Sequence, residues 1–305
     1  EETVCSDEES EITLIGSTNG VFVDKYLVEQ VNNIGLTATP GVTNPNTEKD
    51  DVIASNGVLY NAYTNNSNSP VDVVYTIVPL STDGVEGDEF KLTVTVNPVP
   101  VVSAQTETVC SGETINLNLN DGIVSGGTSF KYTIDALDES GLTRTGPSSY
   151  GTGSDALNGD SFINTTSAAV AVVYTITPYI EISGAADCGG EPFEVRVTVN
   201  PAPVGAVQTA TVNSGIPIGV TLASATGSTP ISNYRIEGIT STDLEIGTNN
   251  REEGDVISAD GLLNDTYTNL TSSDVDAIYR LVPISAGGCE GEEFTVTVTI
   301  RAEPV

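Results

Sequence analysis

Residues 71–97 read VDVVYTIVPLSTDGVEGDEFKLTVTVN, and residues 275–301 read VDAIYRLVPISAGGCEGEEFTVTVTIR. The two segments align without a gap, and the match extends upstream to Val52 and Val256. In each, two alternating apolar and polar stretches flank a glycine-containing turn, a pattern typical of a β-hairpin. Self-similarity over such a length indicates a repeated domain.

The middle of the chain has the same pattern with more divergence. In each repeat an Asn precedes a Tyr by ten residues, as Asn65 and Tyr75, Asn164 and Tyr174, and Asn269 and Tyr279. The repeats also open alike, with Thr3-Val4-Cys5-Ser6, Thr108-Val109-Cys110-Ser111 and Thr211-Val212-Asn213-Ser214. The period is about 100 residues, which is the size of one immunoglobulin-like sandwich.

Strand patterns recur within each period, and no segment has a sustained helical periodicity. Predicted last strands are Phe90–Val96, Phe193–Val199 and Phe294–Ile300, and predicted early strands are Ile12–Leu14, Ile115–Leu119 and Val220–Leu222. We therefore predict an all-β chain of three tandem immunoglobulin-like β-sandwich domains in an elongated array, at residues 1–100, 101–203 and 204–305.

Proline-rich segments follow the first two repeats, as Asn97-Pro98-Val99-Pro100 and Asn200-Pro201-Ala202-Pro203. Proline cannot continue a sheet ladder, and such segments are extended and semi-rigid. Arg301-Ala302-Glu303-Pro304 occupies the same place after the third repeat. We expect the chain to be a segment of a longer array.

The charge of the chain excludes some partners. It has 42 acidic and 10 basic residues, a net charge of -32 at pH 7. A surface this negative repels nucleic acid and anionic lipid headgroups, so we expect no nucleic-acid partner. No apolar stretch reaches the 18 residues of a membrane-spanning helix, so we expect no membrane insertion.

The composition also argues against catalysis. The chain has no His, which removes the imidazole base of most nucleophilic sites, and its acidic residues lie mostly in turns and linkers. We expect no enzymatic activity, no catalytic residue and no cofactor. Calcium is the one ion left open, and its candidate ligands are the acidic clusters at residues 7–9, 48–51 and 252–255.

The tyrosines at fixed spacing, Tyr75, Tyr174 and Tyr279, are expected to be core or corner residues whose hydroxyl groups meet the backbone.

The four cysteines are Cys5, Cys110, Cys188 and Cys289. We predict a Cys110–Cys188 disulfide within the second repeat, on the expectation that both lie at the same end of the sandwich. The other repeats lack one partner each, because Val85 and Asn213 stand at the matching positions. Cys5 and Cys289 are then either unpaired thiols or bonded to neighbouring repeats or chains, and both interpretations stay open.

Several motifs carry a family resemblance. These are TVCSGE at residues 108–113, VVYTITP at 172–178, CGGEPF at 188–193 and VTVNPAP at 197–203. Together they resemble the PKD-like repeats of Bacteroidetes surface proteins, which are stacked in giant cell-surface adhesins that include the gliding-motility adhesins of flavobacteria (SprB type). The resemblance implies export to the outer surface, often by type IX secretion, and it departs from the family pattern at Val85 and Asn213.

The function that we expect is a structural stalk or filament segment of a large secreted cell-surface adhesin, in adhesion or gliding motility. Its partners would be neighbouring repeats of the same polypeptide, other copies in a fibre, and surface glycans or proteins that the sequence does not identify. One alternative is an array of modules that bind carbohydrate or protein. Another is an accessory region of a secreted hydrolase.

Overall fold

The computed structural model describes residues 1–18, 21–128, 130–146, 157–183 and 186–303. Within these ranges the regular structure is β-strand apart from one 3-10 turn at Leu119–Gly122. The strands fall into three successive sets that match the sequence repeats, which confirms the all-β prediction.

The bounds of the strands follow chain order. Repeat 1 contains β1 (Glu2–Cys5), β2 (Ser10–Thr13), β3 (Ser17–Thr18), β4 (Val21–Phe22), β5 (Lys25–Asn32), β6 (Thr37–Ala38), β7 (Val52–Ala54), β8 (Val58–Asn61), β9 (Tyr63–Thr64), β10 (Val71–Leu80) and β11 (Phe90–Asn97). The first linker and repeat 2 contain β12 (Val101–Val102), β13 (Gln105–Cys110), β14 (Ile123–Ser125), β15 (Lys131–Asp138), β16 (Thr143–Arg144), β17 (Phe162–Ile163), β18 (Val170–Ile180), β19 (Cys188–Gly189) and β20 (Phe193–Asn200). Repeat 3 contains β21 (Gln208–Asn213), β22 (Val220–Thr221), β23 (Ile231–Thr240), β24 (Leu244–Ile246), β25 (Val256–Ser258), β26 (Leu262–Leu263), β27 (Tyr267–Asn269), β28 (Val275–Ser285) and β29 (Phe294–Arg301).

One larger sheet dominates each repeat. Its strand order is β1-β11-β10-β5-β7 in repeat 1, β13-β20-β18-β15 in repeat 2 and β21-β29-β28-β23-β25 in repeat 3. The first strand of each repeat runs parallel to the last strand, whereas the other neighbours are antiparallel. This parallel pairing decides where the cysteines lie.

Short strand pairs form the opposite layer of each sandwich. They are β2-β8 and β6-β9 in repeat 1, β16-β17 in repeat 2, and β22-β26 and β24-β27 in repeat 3. Each repeat has its own core between the layers, so the described residues form three clusters. Alternation along the last strand supplies much of each core, because every second residue faces inward.

The apolar face of β20 is buried at Phe193, Val195, Val197 and Val199, and the apolar face of β29 is buried in the same way. In repeat 1 the first residue of the strand departs from this pattern, because Phe90 is 38% exposed.

The segment Ile115–Leu119, predicted as a strand, does not form one. Ile115 and Leu119 are buried as expected, but the chain turns into the 3-10 segment. The Asn118 side chain accepts a hydrogen bond from the Asn120 N–H, and such local bonds compete with strand pairing.

The linkers are extended and pair with the repeat that follows them. Val101 and Val102 pair with Ser125 and Ile123, and Gly205 forms a bridge to Ser224. Each linker is therefore part of the leading surface of the next sandwich. The domain limits 1–100, 101–203 and 204–305 stay a prediction, and Pro304 of the third predicted linker lies outside the described residues.

Candidate functional site: the two joints between repeats

Each repeat has a leading end, where the preceding linker arrives, and a trailing end, where the chain leaves its last strand. In repeat 1, β1 runs parallel to β11, and Cys5 stands opposite Asn97, the last residue of that strand. In repeat 2, Cys110 stands opposite Asn200 in the same way. The first cysteine of a repeat therefore lies at its trailing end.

The second cysteine lies at the leading end. Cys188 is in β19, which pairs with the last residues of β18, and Cys289 lies in the turn before β29. Ser285 and Cys289 exchange backbone and side-chain hydrogen bonds in that turn, at 2.9 Å and 3.1 Å.

Both disulfides cross a joint between neighbouring repeats. Cys5 is bonded to Cys188, and Cys110 is bonded to Cys289, each with a Cα–Cα distance of 5.5 Å. The predicted Cys110–Cys188 bond is wrong, and of the two interpretations left open for Cys5 and Cys289 the unpaired thiol is excluded. The alternative interpretation, in which they bond to neighbouring repeats, is the one that the structure supports.

The reason for the error is the direction of the first strand. Cys110 lies beside the end of β20 and Cys188 lies close to its start, and a strand of this length spans about 23 Å at 3.3 Å per residue. A disulfide needs Cα atoms within about 7 Å, so Cys110 and Cys188 cannot bond within one sandwich. The trailing cysteine of one repeat instead meets the leading cysteine of the next.

The two cysteine positions that carry another residue, Val85 and Asn213, lie at the outer ends of the three-repeat segment rather than at a joint. Asn213 stands opposite Arg301 at the trailing end of repeat 3, in the register that Cys5 and Cys110 have in theirs. Val85 occupies the leading position of repeat 1, where it exchanges with Ser81 the same two hydrogen bonds that Cys289 makes with Ser285. The cysteines thus link the three repeats to each other and leave neither outer end with a thiol.

A buried asparagine fixes the loop at each trailing end. The Asn164 side chain donates to the carbonyl oxygens of Val199 and Ala168, both at 2.8 Å, and accepts from the Thr166 N–H and hydroxyl. Its own N–H donates to the Ser111 hydroxyl. Asn65 and Asn269 make the same set of bonds in their repeats. The ten-residue Asn–Tyr spacing is thereby explained, because this Asn ties the loop before the Tyr strand to the last strand.

The two joints differ in how closely their loops meet. At the first joint, the Asn68 side chain, in the loop of repeat 1 that Asn65 fixes, accepts a hydrogen bond from the Gly126 N–H of repeat 2 at 3.0 Å. At the second joint the loop at Asn164–Thr166 and residues 225–229 of repeat 3 line a common cavity of about 360 Å³.

An ion-pair cluster adjoins the leading cysteine of repeat 3. Arg235 donates to Glu290 at 2.5 Å and 2.8 Å and to Glu237 at 2.6 Å. Hydrogen bonding to Arg235 lowers the pKa of Glu290, and the two carboxylates raise the pKa of Arg235 above its usual value. Its side chains are 32–50% exposed, so it contributes little to the free energy of unfolding, but it ties the turn that carries Cys289 to β23.

The repeated tyrosines are core residues as predicted, but their hydroxyl groups meet side chains rather than backbone. Tyr174 and Tyr279 donate to the buried carboxylates of Asp160 and Asp265, each at 2.7 Å, and Tyr75 accepts from the Asn61 amide at 3.3 Å. Burial is the main cause that raises the pKa of Tyr75 and of Tyr279.

The acidic clusters weighed as calcium ligands are engaged in turns. Asp7 accepts from the Thr39 and Thr64 hydroxyls, Asp51 from the Glu48 N–H and Asp255 from the Glu252 N–H. Within the described ranges, no three His, Cys, Asp or Glu side chains are grouped so that they could hold a metal ion.

Disulfides form and persist in oxidising environments, so the two bonds indicate an extracellular protein. In the part of the chain that the structure describes, no helix has the length and apolar character needed to cross a membrane.

Comparison with solved structures finds matches of low sequence identity. Mouse protocadherin-24 EC1-3 is 14% identical and matches 99% of this chain and 96% of its own, with a TM-score of 0.29. The chicken CNTN1 FN1-FN3 domains are 11% identical, with 98% and 95% covered and a TM-score of 0.29. Human CDH23 EC21-23 is 14% identical, with 98% and 99% covered and a TM-score of 0.27.

No curated protein matches this chain. The PKD-like domain family matches residues 2–100, 107–203 and 221–304, which is most of the sequence. The chain belongs to the PKD-like domain family and consists of three of its repeats in tandem.

Proposed function

We propose that these repeats are a load-bearing stalk segment of a large secreted cell-surface adhesin. The observation that carries the proposal is that both disulfides join neighbouring repeats. A disulfide inside one sandwich would stabilise that domain alone. A disulfide across a joint restrains the orientation of two domains and resists their separation, which is what a stalk under tension requires.

The covalent topology favours the same role. The bonds form two nodes, Cys5–Cys188 at the first joint and Cys110–Cys289 at the second. Residues 5–110, 110–188 and 188–289 each run from one node to the other, so three chain segments connect the joints in parallel. A force applied at the two ends of the chain is shared among these segments, and the shortest of them limits the extension.

Single-molecule pulling between the two ends of the chain tests this role. With both disulfides intact, the covalent path contains about 100 residues and reaches about 340 Å when every repeat has unfolded. After reduction the whole chain can extend to about 1,000 Å. We expect a roughly threefold increase in final extension on adding a reductant.

A variant with all four cysteines changed to serine is the control. It should reach the long extension with or without reductant. Equal extension of the oxidised and reduced native chain would contradict the proposal, because the disulfides would then not limit the chain under load.

The proposal also includes the absence of catalysis and the display of the array at a cell surface, in adhesins of the kind that the sequence motifs resemble. Labelling of intact cells with an antibody against these repeats tests the surface location, and signal only after cell lysis would contradict it. Turnover of a glycan or peptide by the purified chain, lost on one substitution, would contradict the absence of catalysis.

A further inference from the structure

The leading end of repeat 1 has an apolar groove that nothing covers in the described part of the chain. The groove has a volume of about 490 Å³, and its lining includes Ile12, Leu14, Ile15, Val23, Tyr26 and Phe90. Ile15 is 73% exposed, and Phe22, which lines the adjoining pocket, is 83% exposed. The two pockets share Val23, Pro79 and Asp88 in their linings, and the second also includes Gly87, so together they form one continuous groove.

The matching surfaces of repeats 2 and 3 are covered. An edge-to-face pair of aromatic rings marks the place in each repeat, as Tyr26–Phe90, Tyr132–Phe193 and Tyr234–Phe294, with centroids 6.1, 6.1 and 5.7 Å apart. Phe193 and Phe294 are 7% and 6% exposed, against 38% for Phe90. The three Phe rings stand at equivalent positions in their repeats, and of these Phe90 is the one that the described part of the chain leaves uncovered.

The cover in repeats 2 and 3 is the preceding linker. Val102 of the first linker belongs to the core cluster that contains Phe193. Gly205 holds the matching place in the second linker, and an ideal Cβ on it would stand 2.2 Å from Phe294 Cδ1. Linker backbone therefore lies directly on the Phe294 ring.

A glycine receives the linker carbonyl at each joint. An ideal Cβ would stand 2.0 Å from Pro100 O if added to Gly190, and 1.7 Å from Pro203 O if added to Gly291. Repeat 1 has Gly87 at this place. Its N–H donates to the carbonyl oxygen of Pro79, as the N–H groups of Gly190 and Gly291 donate to Pro178 and Pro283. The three atoms nearest to its ideal Cβ all belong to Pro79, the first of them Cγ at 3.0 Å, so the described residues place no second carbonyl close to Gly87.

We propose that this groove, between Tyr26, Phe90 and Gly87, is the docking site for the linker of a further PKD-like repeat that precedes repeat 1 in the same polypeptide. The occupant is an extended Pro-x-Pro segment that places the carbonyl of its second proline on Gly87. The residue two positions further on, which is Val102 in the first linker and Gly205 in the second, would lie on Phe90. Since Val85 stands at the position of the leading cysteine, this joint is held without a disulfide.

The register of the first strand supports a linker in the same chain. Glu2 pairs with Val94 as Glu107 pairs with Val197, so the chain enters repeat 1 as it enters repeat 2. A tethered segment also docks at a high effective concentration, whereas a few apolar residues bind weakly from solution. This inference does not depend on the load-bearing role.

A grafted linker provides the test. The sequence of residues 97–105, NPVPVVSAQ, is placed directly before Glu1, which reproduces the spacing between the first linker and β13. We expect the methyl NMR signals of Ile12, Ile15 and Val23 to shift, and binding of an apolar dye at the groove to fall several-fold, without dependence on protein concentration.

The control graft has Asp in place of the valine that corresponds to Val102, and it leaves repeat 1 itself unaltered. It should give the signals of the native chain. Unchanged groove signals with the native graft, or equal shifts with the Asp graft, would overturn the proposal. Groove signals of the ungrafted chain that change with concentration would assign the groove to a second copy and would also overturn it.

Discussion

The α-carbon of Gly190 lies against the carbonyl oxygen of Pro100, and an ideal Cβ on Gly190 would stand only 2.0 Å from that oxygen. Neither residue lies in a β-strand of repeat 1 or repeat 2. Their close approach nevertheless fixes the point at which the linker from repeat 1 meets repeat 2. The contact also explains why a glycine stands there, since only glycine allows another backbone to approach so closely.

Replacing Gly190 with Ala should displace the first linker from repeat 2. The added methyl group collides with backbone that cannot rotate away, so we expect a loss of roughly 1–3 kcal/mol of unfolding free energy in repeat 2. Denaturant unfolding measures this loss, and NMR shifts at Val102 report the movement of the linker. Gly189→Ala is a matched control, because an ideal Cβ there meets nothing within 4 Å. Equal effects of the two substitutions would show that the close approach is not what matters.

Removing the Cys110–Cys289 bond with paired serine substitutions should loosen the second joint and leave the first unchanged. The matching removal of Cys5–Cys188 should have a smaller effect, because the first joint keeps the Asn68–Gly126 hydrogen bond, whereas the loops at the second joint line an open cavity. Small-angle scattering gives the distribution of overall dimensions of each variant. A broader distribution for the variant without Cys5–Cys188 would contradict this ranking.

Peptide mapping under non-reducing conditions checks the pairing itself. We expect linked peptides that contain Cys5 with Cys188 and Cys110 with Cys289. Recovery of a Cys110–Cys188 peptide from monomeric protein would mean that the cysteines bond within one sandwich, against the parallel first strand.

Asn269→Ala should destabilise repeat 3 strongly. The amide donates to the buried carbonyl oxygen of Ile300 and to that of Ser273, both at 2.9 Å. Its loss removes this donor from the Ile300 carbonyl and the Asn269 acceptor from Thr271, while the Ser273 carbonyl keeps the Thr271 hydroxyl. We expect a loss of about 2–4 kcal/mol in unfolding free energy, measured by denaturant titration. Leu270→Ala, at a neighbouring side chain that is 77% exposed, serves as the control and should change stability little. Similar losses in both variants would show that the hydrogen bonds of the Asn269 side chain do not hold this loop in place.

The sequence predicted the sandwiches because alternation and spacing are local signals. Phe193 to Val199 alternate in a way that only a half-buried strand satisfies, and the Tyr174 position is marked by its apolar neighbours. The cysteine pairing failed because the direction of β13 relative to β20 is a tertiary property. An antiparallel first strand would place Cys110 at the leading end, and nothing local to Cys110 distinguishes the two directions.

One signal in the sequence favoured bonds between repeats. Two of the six cysteine positions carry another residue. Val85 stands at the leading position of the first repeat, and Asn213 stands at the trailing position of the last repeat. Bonds between consecutive repeats require that arrangement, whereas loss of unrelated bonds within repeats does not. The apolar groove could not be foreseen from sequence, because Phe90 has the same pattern as Phe193 and Phe294, and only the fold shows which ring is covered.

Tyr279→Phe should change how the stability of repeat 3 depends on alkaline pH. Burial, together with the hydrogen bonds to Tyr267 and Asp265, raises the pKa of Tyr279 above its ordinary value of 10.0. The folded state therefore holds this proton more tightly than the unfolded chain. The resulting stability is fully present below about pH 10 and is lost as the pH rises above it, because the unfolded state then releases the proton first.

The variant lacks this proton, so its unfolding free energy should fall less steeply above pH 10, by about 1.4 kcal/mol per pH unit at most. At neutral pH it should be less stable than the native chain by about 1–2 kcal/mol, because Asp265 loses the hydroxyl that donates to it at 2.7 Å. Denaturant titrations from about pH 7 to about pH 12 give both quantities in one series. Native and variant chains that lose stability with the same slope above pH 10 would show that Tyr279 does not hold its proton in the way the buried contact implies.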